Sequence, residues 1–342
     1  MPAAPVLEVR DLRVEYATSR GPVAAVDGVD LDVREGEFVG VVGESGCGKS
    51  TLLFAIAQLL SAPATVVGGS VVFHGRDLVT MTERQLQALR WRDYSVVMQS
   101  AMNALNPVTS IGAQFKDALA AHSTMSGRQV TERSVEVLRL VGIDPIHLRS
   151  YPHQLSGGMR QRAMIAMALL FTPDLVIMDE PTSALDVVGQ RSLMVQTKEL
   201  QRRLGFAVVF VTHDMSLVSH FSDRLLVMYA GQIVETGPTR TVFDSPAHPY
   251  SRGLLEAFPS IRGPKVLLTG IPGAPPDLVR PPAGCRFHPR CPVAFADCNR
   301  SAPGLYPVGA VRARCLLHAP DHAPDRPPPR EPAAEAEREV RR

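Results

Sequence analysis

One short segment limits the possible folds of this chain more than any other. Phe38–Val42 is wholly apolar, the eight residues after it read GESGCGKS (43–50), and an apolar helical pattern covers residues 49–60. A strand, a glycine-rich turn and a helix in this order form the P-loop pattern, in which backbone N–H groups surround phosphate oxygens. The segment predicts a phosphate-binding α/β core, and a glycine-rich turn without a ligand is the alternative.

Most positions of the turn have an expected contact. The helix that begins near Lys49 directs its positive N-terminal end at the phosphates. Lys49, one of four lysines in the chain, would place a compact charge on the β- and γ-phosphates. Ser50 is expected to ligate Mg²⁺, with Thr51 beside it. The predicted nucleotide-binding residues of the turn are Gly43, Ser45, Gly46, Cys47, Gly48, Lys49, Ser50 and Thr51.

Two further apolar runs end in polar residues, as buried parallel strands with chemistry at their carboxyl ends do. The first is LVIMDE (175–180), and the second is residues 208–212. Asp179 suits a position near Mg²⁺, and Glu180 suits the polarisation of a water that attacks the γ-phosphate. In the alternative interpretation, the two carboxylates only face the start of the helix that follows.

A second predicted anion-binding turn lies more than 100 residues from the first. Ser156, Gly157 and Gly158 lie within LSGGM (155–159), at the predicted start of a helix. They would equally serve as a plain helix cap. Between about residues 100 and 165 no strand pattern occurs, and Val135, Leu138 and Val141 recur every third residue, which indicates a helical insertion.

GESGCGKS, LSGGM and LVIMDE in this order resemble the nucleotide-binding subunit of an ABC transporter. The resemblance implies that Gln99 touches Mg²⁺ and relays to a membrane subunit, and that residues 183–186 form a loop at a dimer interface. It further implies that His213 contacts the γ-phosphate and that Tyr16 stacks on adenine. Glu180, His213 and Gln99 are then the expected catalytic residues. Tyr16 could also be an edge-strand aromatic, His213 a strand-end histidine and Gln99 a loop polar residue.

The resemblance also implies a fold and partners. The fold would be an α/β P-loop ATPase core with an antiparallel β subdomain, a helical insertion and a small Cys-rich C-terminal extension. Such subunits close as head-to-tail dimers around ATP. This chain has one copy of each motif, so a second ATPase polypeptide is expected. A soluble ABC ATPase of translation or DNA repair is the rival interpretation, but the chain has neither a second ATPase copy nor a long coiled-coil insertion.

Two segments, SPAHPYSRGLL (245–255) and GCRFHPRCP (284–292), resemble the C-terminal part of the ATPase subunits of the peptide/nickel importers. QSAMNALNP (99–107) is similar to the loop of the D-type ATPase in the dipeptide/oligopeptide importers. This implies peptide import powered by ATP, with an F-type ATPase partner, two permease subunits and an extracytoplasmic solute-binding protein. The expected location is peripheral, on the cytoplasmic face of the cell membrane. Nickel, glutathione and oligosaccharides remain alternative solutes, because the ATPase never touches the solute.

The composition agrees with these expectations. Apolar residues make up 45% of the 342 residues, which excludes disorder throughout the chain. The longest apolar run, residues 163–171, is too short to span a membrane, and the N-terminus lacks a secretory pattern. A net charge of +2 gives no reason to expect nucleic acid as a partner.

The last part of the chain differs from the rest. Seventeen of the 29 prolines follow residue 258. We therefore expect an ATPase domain over 1–258 with a helical subdomain at about 100–165, a Pro/Cys-rich extension over 259–320, and a disordered tail over 321–342. The extension has few apolar residues, so a metal is expected to take the place of a core.

Four of the five cysteines are spaced C-x5-C-x6-C-x16-C, at Cys285, Cys291, Cys298 and Cys315. An expected cytosolic location disfavours disulfides. Structural zinc sites usually contain short C-x2–4-C pairs, which are absent here. Four thiolates without such pairs can hold a [4Fe–4S] cluster, as in some members of the importer group. We expect the cluster, with zinc and free thiols as the alternatives.

Overall fold

Two sheets organise the strands of this chain. The structure, a computed structural model, describes residues 5–99, 104–183, 185–257 and 270–320. In these ranges the strands are β1 (Leu7–Tyr16), β2 (Val23–Val33), β3 (Phe38–Val42), β4 (Ala64–Phe73), β5 (Arg76–Asp77), β6 (Tyr94–Val97), β7 (Leu175–Asp179), β8 (Ala207–Val211), β9 (Arg224–Tyr229), β10 (Gln232–Pro238), β11 (Tyr306–Val308) and β12 (Val311–Ala313).

Helices surround and connect these strands. They are α1 (Lys49–Ile56), α2 (Glu83–Leu89), α3 (Ile111–His122), α4 (Gly127–Leu140), α5 (Gly157–Ala168), α6 (Val187–Leu204), α7 (Met215–Phe221), α8 (Thr239–Asp244) and α9 (Pro249–Glu256). Short 3-10 turns cover Leu78–Thr80, Pro145–Arg149, Pro152–Gln154, His288–Arg290, Ala296–Asn299 and Leu316–His318. Among the described residues, no helix combines the length and apolar character needed to cross a bilayer.

The smaller sheet is the predicted antiparallel β subdomain. Its strand order is β2-β1-β4-β5, and all neighbouring strands are antiparallel. Buried and exposed residues alternate along parts of β1 and β2, because one face of this sheet packs on the core while the other is solvated. The antiparallel β subdomain that the resemblance implied is thus confirmed.

The larger sheet brings the three apolar runs side by side. Its order is β11-β12-β10-β9-β3-β8-β7-β6, with parallel pairing from β9 through β3, β8 and β7 to β6. Every residue of β3, β7 and β8 is buried, as the continuous apolar runs predict. Because these three strands are parallel neighbours, the residues that follow them meet at one edge of the sheet.

The helical insertion consists of α3, α4 and α5, and serine side chains cap all three helices. The buried face of α4 contains Val130, Ser134, Val137 and Leu138, a spacing of about 3.6 residues. The sequence pattern placed Val135 on this face, and the structure places Val137 there instead. Leu105, in the segment QSAMNALNP (99–107), is only 2% exposed and belongs to the core.

Residues 270–320 do not rely on cysteines alone for their order. The β11–β12 hairpin continues the large sheet, because β12 pairs with β10. Phe287 is 2% exposed and packs on Tyr229 and Tyr250, with ring centroids 5.2 and 5.4 Å apart. Part of the order of this segment therefore comes from apolar residues that join the core of the body, a contribution that the sequence analysis did not predict. The linker at 258–269 and the tail at 321–342 lie outside the described residues.

Candidate functional site

The glycine-rich turn fits between neighbouring backbone segments so tightly that only glycine can occupy two of its positions. It leaves β3 at residue 43 and enters α1 at Lys49. Gly48 has φ 105°, and a Cβ built on it would lie 2.0 Å from the carbonyl oxygen of Ala25. A Cβ on Gly43 would lie 2.1 Å from the carbonyl oxygen of Met228. The fold of this chain thus fixes the backbone of the turn at both positions.

Lys49 lies beneath this turn. Its side chain is 7% exposed, and its Nζ donates hydrogen bonds to the carbonyl oxygens of Gly43, at 2.8 Å, and Glu44, at 2.9 Å. The sulfur of Cys47 lies 3.8 Å from the same nitrogen. A buried ammonium held by two carbonyl oxygens supplies fixed positive charge to the turn.

Asp179, the last residue of β7, reaches the start of α1. Its Oδ1 accepts a hydrogen bond from the Ser50 hydroxyl at 3.0 Å, although the two residues are 129 positions apart. Burial raises the pKa of Asp179, the Ser50 hydrogen bond opposes this rise, and the neighbouring charge of Glu180 adds to it. The pair joins the first and second predicted motifs directly.

Glu180, His213 and Gln99 form one hydrogen-bonded group. Glu180 Oε2 accepts from Gln99 Nε2 at 3.0 Å, and Glu180 Oε1 lies 3.1 Å from His213 Nδ1. Glu180 has φ 45°, a left-handed conformation that non-glycine residues seldom adopt, and its N–H donates to the carbonyl of Val211. Such strain is common at functional sites, where it holds a side chain in a set direction. The structure therefore brings together the three predicted catalytic residues.

Tyr16, predicted to stack on adenine, lies near the P-loop helix. It is half-buried at the end of β1, and its hydroxyl is 3.1 Å from Thr51 Oγ1. The phenol hydroxyl is thereby tied to the first turn of α1. This arrangement places an aromatic side chain beside the predicted phosphate site.

The second predicted turn is open. Ser156 is exposed, and its hydroxyl accepts from the N–H of Met159 at 3.3 Å, which makes it the N-cap of α5. A Cβ built on Gly158 would have no neighbour within 4 Å. In the loop at 183–186, Ala184 lies outside the described residues, and Asp186 caps α6 through Gly189. Among the described hydrogen bonds, none joins residues 156–158 to the P-loop.

Sequence reasoning missed two residues that hold the P-loop from the C-terminal part of the chain. Arg290 donates two hydrogen bonds to the carboxylate of Glu44, and Tyr250 accepts one from the Glu44 N–H. Tyr250 and Arg290 lie in segments that the resemblance had singled out. No local pattern could reveal that they contact a residue more than 200 positions away.

The four clustered cysteines form no disulfide in the described part of the chain, and they line one small pocket together with His248 and Phe287. Burial raises the pKa of Cys291 to about 11 and that of Cys315 to about 12, and the neighbouring thiols add to both rises. Over the described ranges, however, no three His, Cys, Asp or Glu side chains are arranged so that they could hold a metal ion. The expected convergence of thiols is present, and the expected metal centre has no support of this kind.

Comparison with known proteins identifies both parts of the chain. The family profile described as ABC transporter matches residues 26–183, and the one described as oligopeptide/dipeptide transporter, C-terminal region, matches residues 234–298. The chain is 45% identical over 304 residues to the oligopeptide transport ATP-binding protein OppD of Salmonella typhimurium, covering 88% of this chain and 90% of that protein. It is 44% identical over 302 residues to the dipeptide transport ATP-binding protein DppD of Bacillus subtilis, covering 87% and 90%.

Solved structures agree. A dimeric post-hydrolysis state of the ATP-binding cassette MJ0796, bound to ADP and Pi, matches 68% of this chain and 99% of its own, with a TM-score of 0.61 at 28% identity. The cbiO1 protein of Clostridium perfringens, part of the ABC transporter complex cbiONQ, matches 71% and 92%, also with a TM-score of 0.61. The motifs, the fold and these likenesses lead to one conclusion: the chain belongs to the ABC transporter ATPases, in the group of oligopeptide and dipeptide transport ATP-binding proteins.

Proposed function

We propose that this chain drives the import of dipeptides or oligopeptides by hydrolysing ATP at the edge of the large sheet, on the cytoplasmic face of the membrane. The observation that carries the proposal is the group formed by Glu180, His213 and Gln99 beside the P-loop. The names of the relatives, which transport oligopeptides and dipeptides, support the choice of solute.

Nucleotide binding is assigned to the P-loop and its neighbours. The N–H groups of the turn and the ammonium of Lys49 bind the phosphates, and Tyr16 stacks on adenine. Ser50 and Gln99 hold Mg²⁺, which neutralises charge on the phosphates when bound, and Asp179 orients Ser50 through their hydrogen bond. Gly43, Ser45, Gly46, Cys47, Gly48 and Thr51 complete this set.

Hydrolysis is assigned to Glu180. Its carboxylate accepts a hydrogen bond from the attacking water and aligns it with the γ-phosphate. The bonds to Gln99 and His213 hold both carboxylate oxygens, so that the side chain stays directed at one place. His213 is 69% exposed on its side chain, which leaves it accessible to a bound γ-phosphate.

A second ATPase subunit completes the site. The open turn at Ser156, Gly157 and Gly158 covers the nucleotide bound to the partner's P-loop, and the partner's equivalent turn covers ATP bound here. We assign the partner as an F-type ATPase, alongside two permease subunits and an extracytoplasmic solute-binding protein. Val108 and Ile146, exposed by 77% and 70% on the helical insertion, suit contact with permease loops.

The cysteine pocket is assigned to a [4Fe–4S] cluster with a structural role. Four thiols line one pocket, which fits the donor set of such a cluster. The short C-x2–4-C pairs that structural zinc sites usually contain are absent from these four cysteines.

The hydrolytic assignment is tested with Glu180→Gln in the assembled importer. We expect ATP affinity to stay near the wild-type value and turnover to fall by at least about 100-fold, because the amide keeps the shape but loses the charge. Glu199→Gln, on the exposed face of α6, is the matched control and should hydrolyse ATP normally. Near-normal turnover of Glu180→Gln would contradict the assignment.

The solute is tested by ATPase stimulation in reconstituted vesicles. Solute-binding protein loaded with a dipeptide or an oligopeptide should raise ATP turnover. Stimulation by nickel, glutathione or an oligosaccharide alone would replace the peptide assignment with that solute.

The cluster is tested by anaerobic purification followed by iron and sulfide analysis. The wild-type chain and Cys47→Ser should carry both, whereas Cys315→Ser should lose them. One zinc per chain, or no metal, would overturn the cluster.

A further inference from the structure

The P-loop is fastened by two side chains that lie beyond residue 249. The hydroxyl of Tyr250 accepts a hydrogen bond from the N–H of Glu44 at 2.9 Å. Arg290 donates two hydrogen bonds to the carboxylate of Glu44, from Nη1 to Oε2 at 2.7 Å and from Nη2 to Oε1 at 2.9 Å. A two-pronged bond of this kind sets the direction of the carboxylate as well as its distance.

Arg290 is itself held in place. Its Nε donates to the carbonyl of Pro272 at 2.8 Å, and its guanidinium lies 5.8 Å from the ring centre of Tyr229. Its side chain is 6% exposed, and the bond to Glu44 is the main cause that raises its pKa, so it stays charged. A buried arginine with fixed partners loses little freedom when it binds the carboxylate.

Glu44 in turn holds the residue that meets the phosphates. Its main-chain carbonyl accepts a hydrogen bond from Lys49 Nζ at 2.9 Å. Its N–H is already bonded to Tyr250, so this peptide unit anchors the turn instead of facing a phosphate. The side chain, N–H and carbonyl of Glu44 are all hydrogen-bonded, so this residue fixes the position of the turn.

The charge of Glu44 would harm ATP binding if it were left unpaired. Its side chain is 23% exposed, and it stands in the loop that receives the phosphates. An unpaired carboxylate in a partly buried position repels a nearby anion strongly, because screening by water is reduced there.

We infer that Arg290 is a positioning residue for ATP: it neutralises and orients Glu44, and through Glu44 it keeps Lys49 and the P-loop ready to bind nucleotide. The C-terminal extension is therefore part of the ATP site of its own chain. The inference rests on ATP binding by the P-loop and is independent of the solute and of the chemistry of the cysteine pocket.

The test is a double-mutant cycle on the full chain, with Mg-ATP affinity measured by calorimetry. Arg290→Ala should weaken binding about tenfold, the scale expected for an uncompensated charge. Adding Glu44→Gln to Arg290→Ala should restore affinity to within about threefold of wild type, because the harmful charge is then gone. In the assembled importer, Arg290→Ala should raise KM for ATP about tenfold and change kcat by less than about threefold.

Arg314→Ala is the matched control. Arg314 is a half-buried arginine of the same extension that bonds the carbonyls of Ile233 and Pro303 but not the P-loop. It should leave ATP affinity unchanged. Equal weakening by Arg314→Ala would overturn the inference, since general loosening of the extension would then explain the loss.

Two further results would also overturn it. One is a double variant that stays as weak as Arg290→Ala, and the other is a fall in kcat with KM unchanged. If Arg290→Ala does not fold, Arg290→Lys serves instead. Lysine keeps the positive charge but cannot bind both carboxylate oxygens at once, as the planar guanidinium does. This variant should bind ATP about twofold to fivefold more weakly. If Arg290→Lys binds ATP as tightly as wild type but loses affinity more steeply with salt, neutralisation of Glu44 by charge is supported. A tenfold loss of ATP affinity in Arg290→Lys would contradict neutralisation of Glu44 as the cause.

Discussion

The two glycine-rich turns of this chain resemble each other in sequence but not in their surroundings. The P-loop is enclosed: a Cβ on Gly48 would collide with Ala25, and buried Lys49 fills the space beneath the turn. The turn at 156–158 is open, and a Cβ on Gly158 would touch nothing. Close backbone contacts therefore explain Gly43 and Gly48 of the P-loop, whereas no such contact among the described residues requires glycine at 158.

The difference indicates where each turn finds its ligand. An enclosed turn with its own cation is a complete phosphate site. An open turn without a nearby cation is suited to a ligand bound by another subunit, as in the head-to-tail dimer proposed above. Each prediction below tests one side of this comparison.

The largest effect is expected from Gly48→Ala. A methyl group 2.0 Å from the Ala25 carbonyl, at φ 105°, forces the turn to rearrange. Mg-ATP affinity of the full chain should fall by at least about 100-fold, because the N–H groups no longer converge. Calorimetric titration measures this loss.

Gly309→Ala is the control for Gly48→Ala. Gly309 also has a positive φ, 60°, but a Cβ there has no neighbour within 4 Å. It should lower stability by about 1 kcal/mol and leave ATP affinity unchanged. If Gly48→Ala binds ATP as well as Gly309→Ala does, the P-loop is not as enclosed as the structure indicates.

The second prediction concerns Gly158→Ala. Mg-ATP affinity of the full chain should remain unchanged, since the methyl group meets nothing within the chain. ATP turnover of the assembled importer should fall about 30-fold, because the added carbon would separate the turn from the partner's nucleotide. Gly127→Ala, at the start of α4 and equally free of neighbours, should affect neither measurement. Normal turnover of Gly158→Ala would argue against closure by this turn.

The enclosed turn was largely predictable from the sequence. Phe38–Val42 and residues 175–178 are continuous apolar runs, and such runs indicate buried parallel strands and the sheet edge at which the polar residues after them meet. Ser50 and Asp179 were both expected near Mg²⁺, and a hydrogen bond joins them in the structure.

The remaining features depend on distant packing, which leaves no local pattern. Arg290 and Glu44 are 246 residues apart, and neither has a neighbour in sequence that hints at the other. The strands β11 and β12 have three residues each, too few to show a period, so their addition to the large sheet was not predicted. Leu105 lies in a loop, and only the packing of the helical insertion shows that it is buried.

A third prediction tests whether the adenine of ATP binds beside the enclosed turn, against Tyr16. Tyr16→Ala removes the ring beside α1 and should weaken Mg-ATP binding about tenfold, the size of one base–aromatic stack. Tyr16→Phe loses only the hydrogen bond to Thr51 and should stay within about twofold of wild type. Equal losses in the two variants would show that the hydroxyl, and not the ring, matters for ATP.

The smallest effect is expected at Val108, in the subdomain that contains the open turn. This side chain is 77% exposed on the helical insertion, the same subdomain that presents Gly158. Val108→Asp should leave ATP affinity and folding unchanged, because exposed substitutions rarely alter stability. Peptide uptake by the reconstituted importer should fall about threefold to fivefold, since a charge is placed in the proposed apolar contact with the permease. Val195→Asp, 49% exposed on α6, is the control and should transport normally. If both variants reduce uptake equally, the helical insertion is not where this ATPase contacts the membrane subunits. The subdomain with the open turn would then contact the partner ATPase alone.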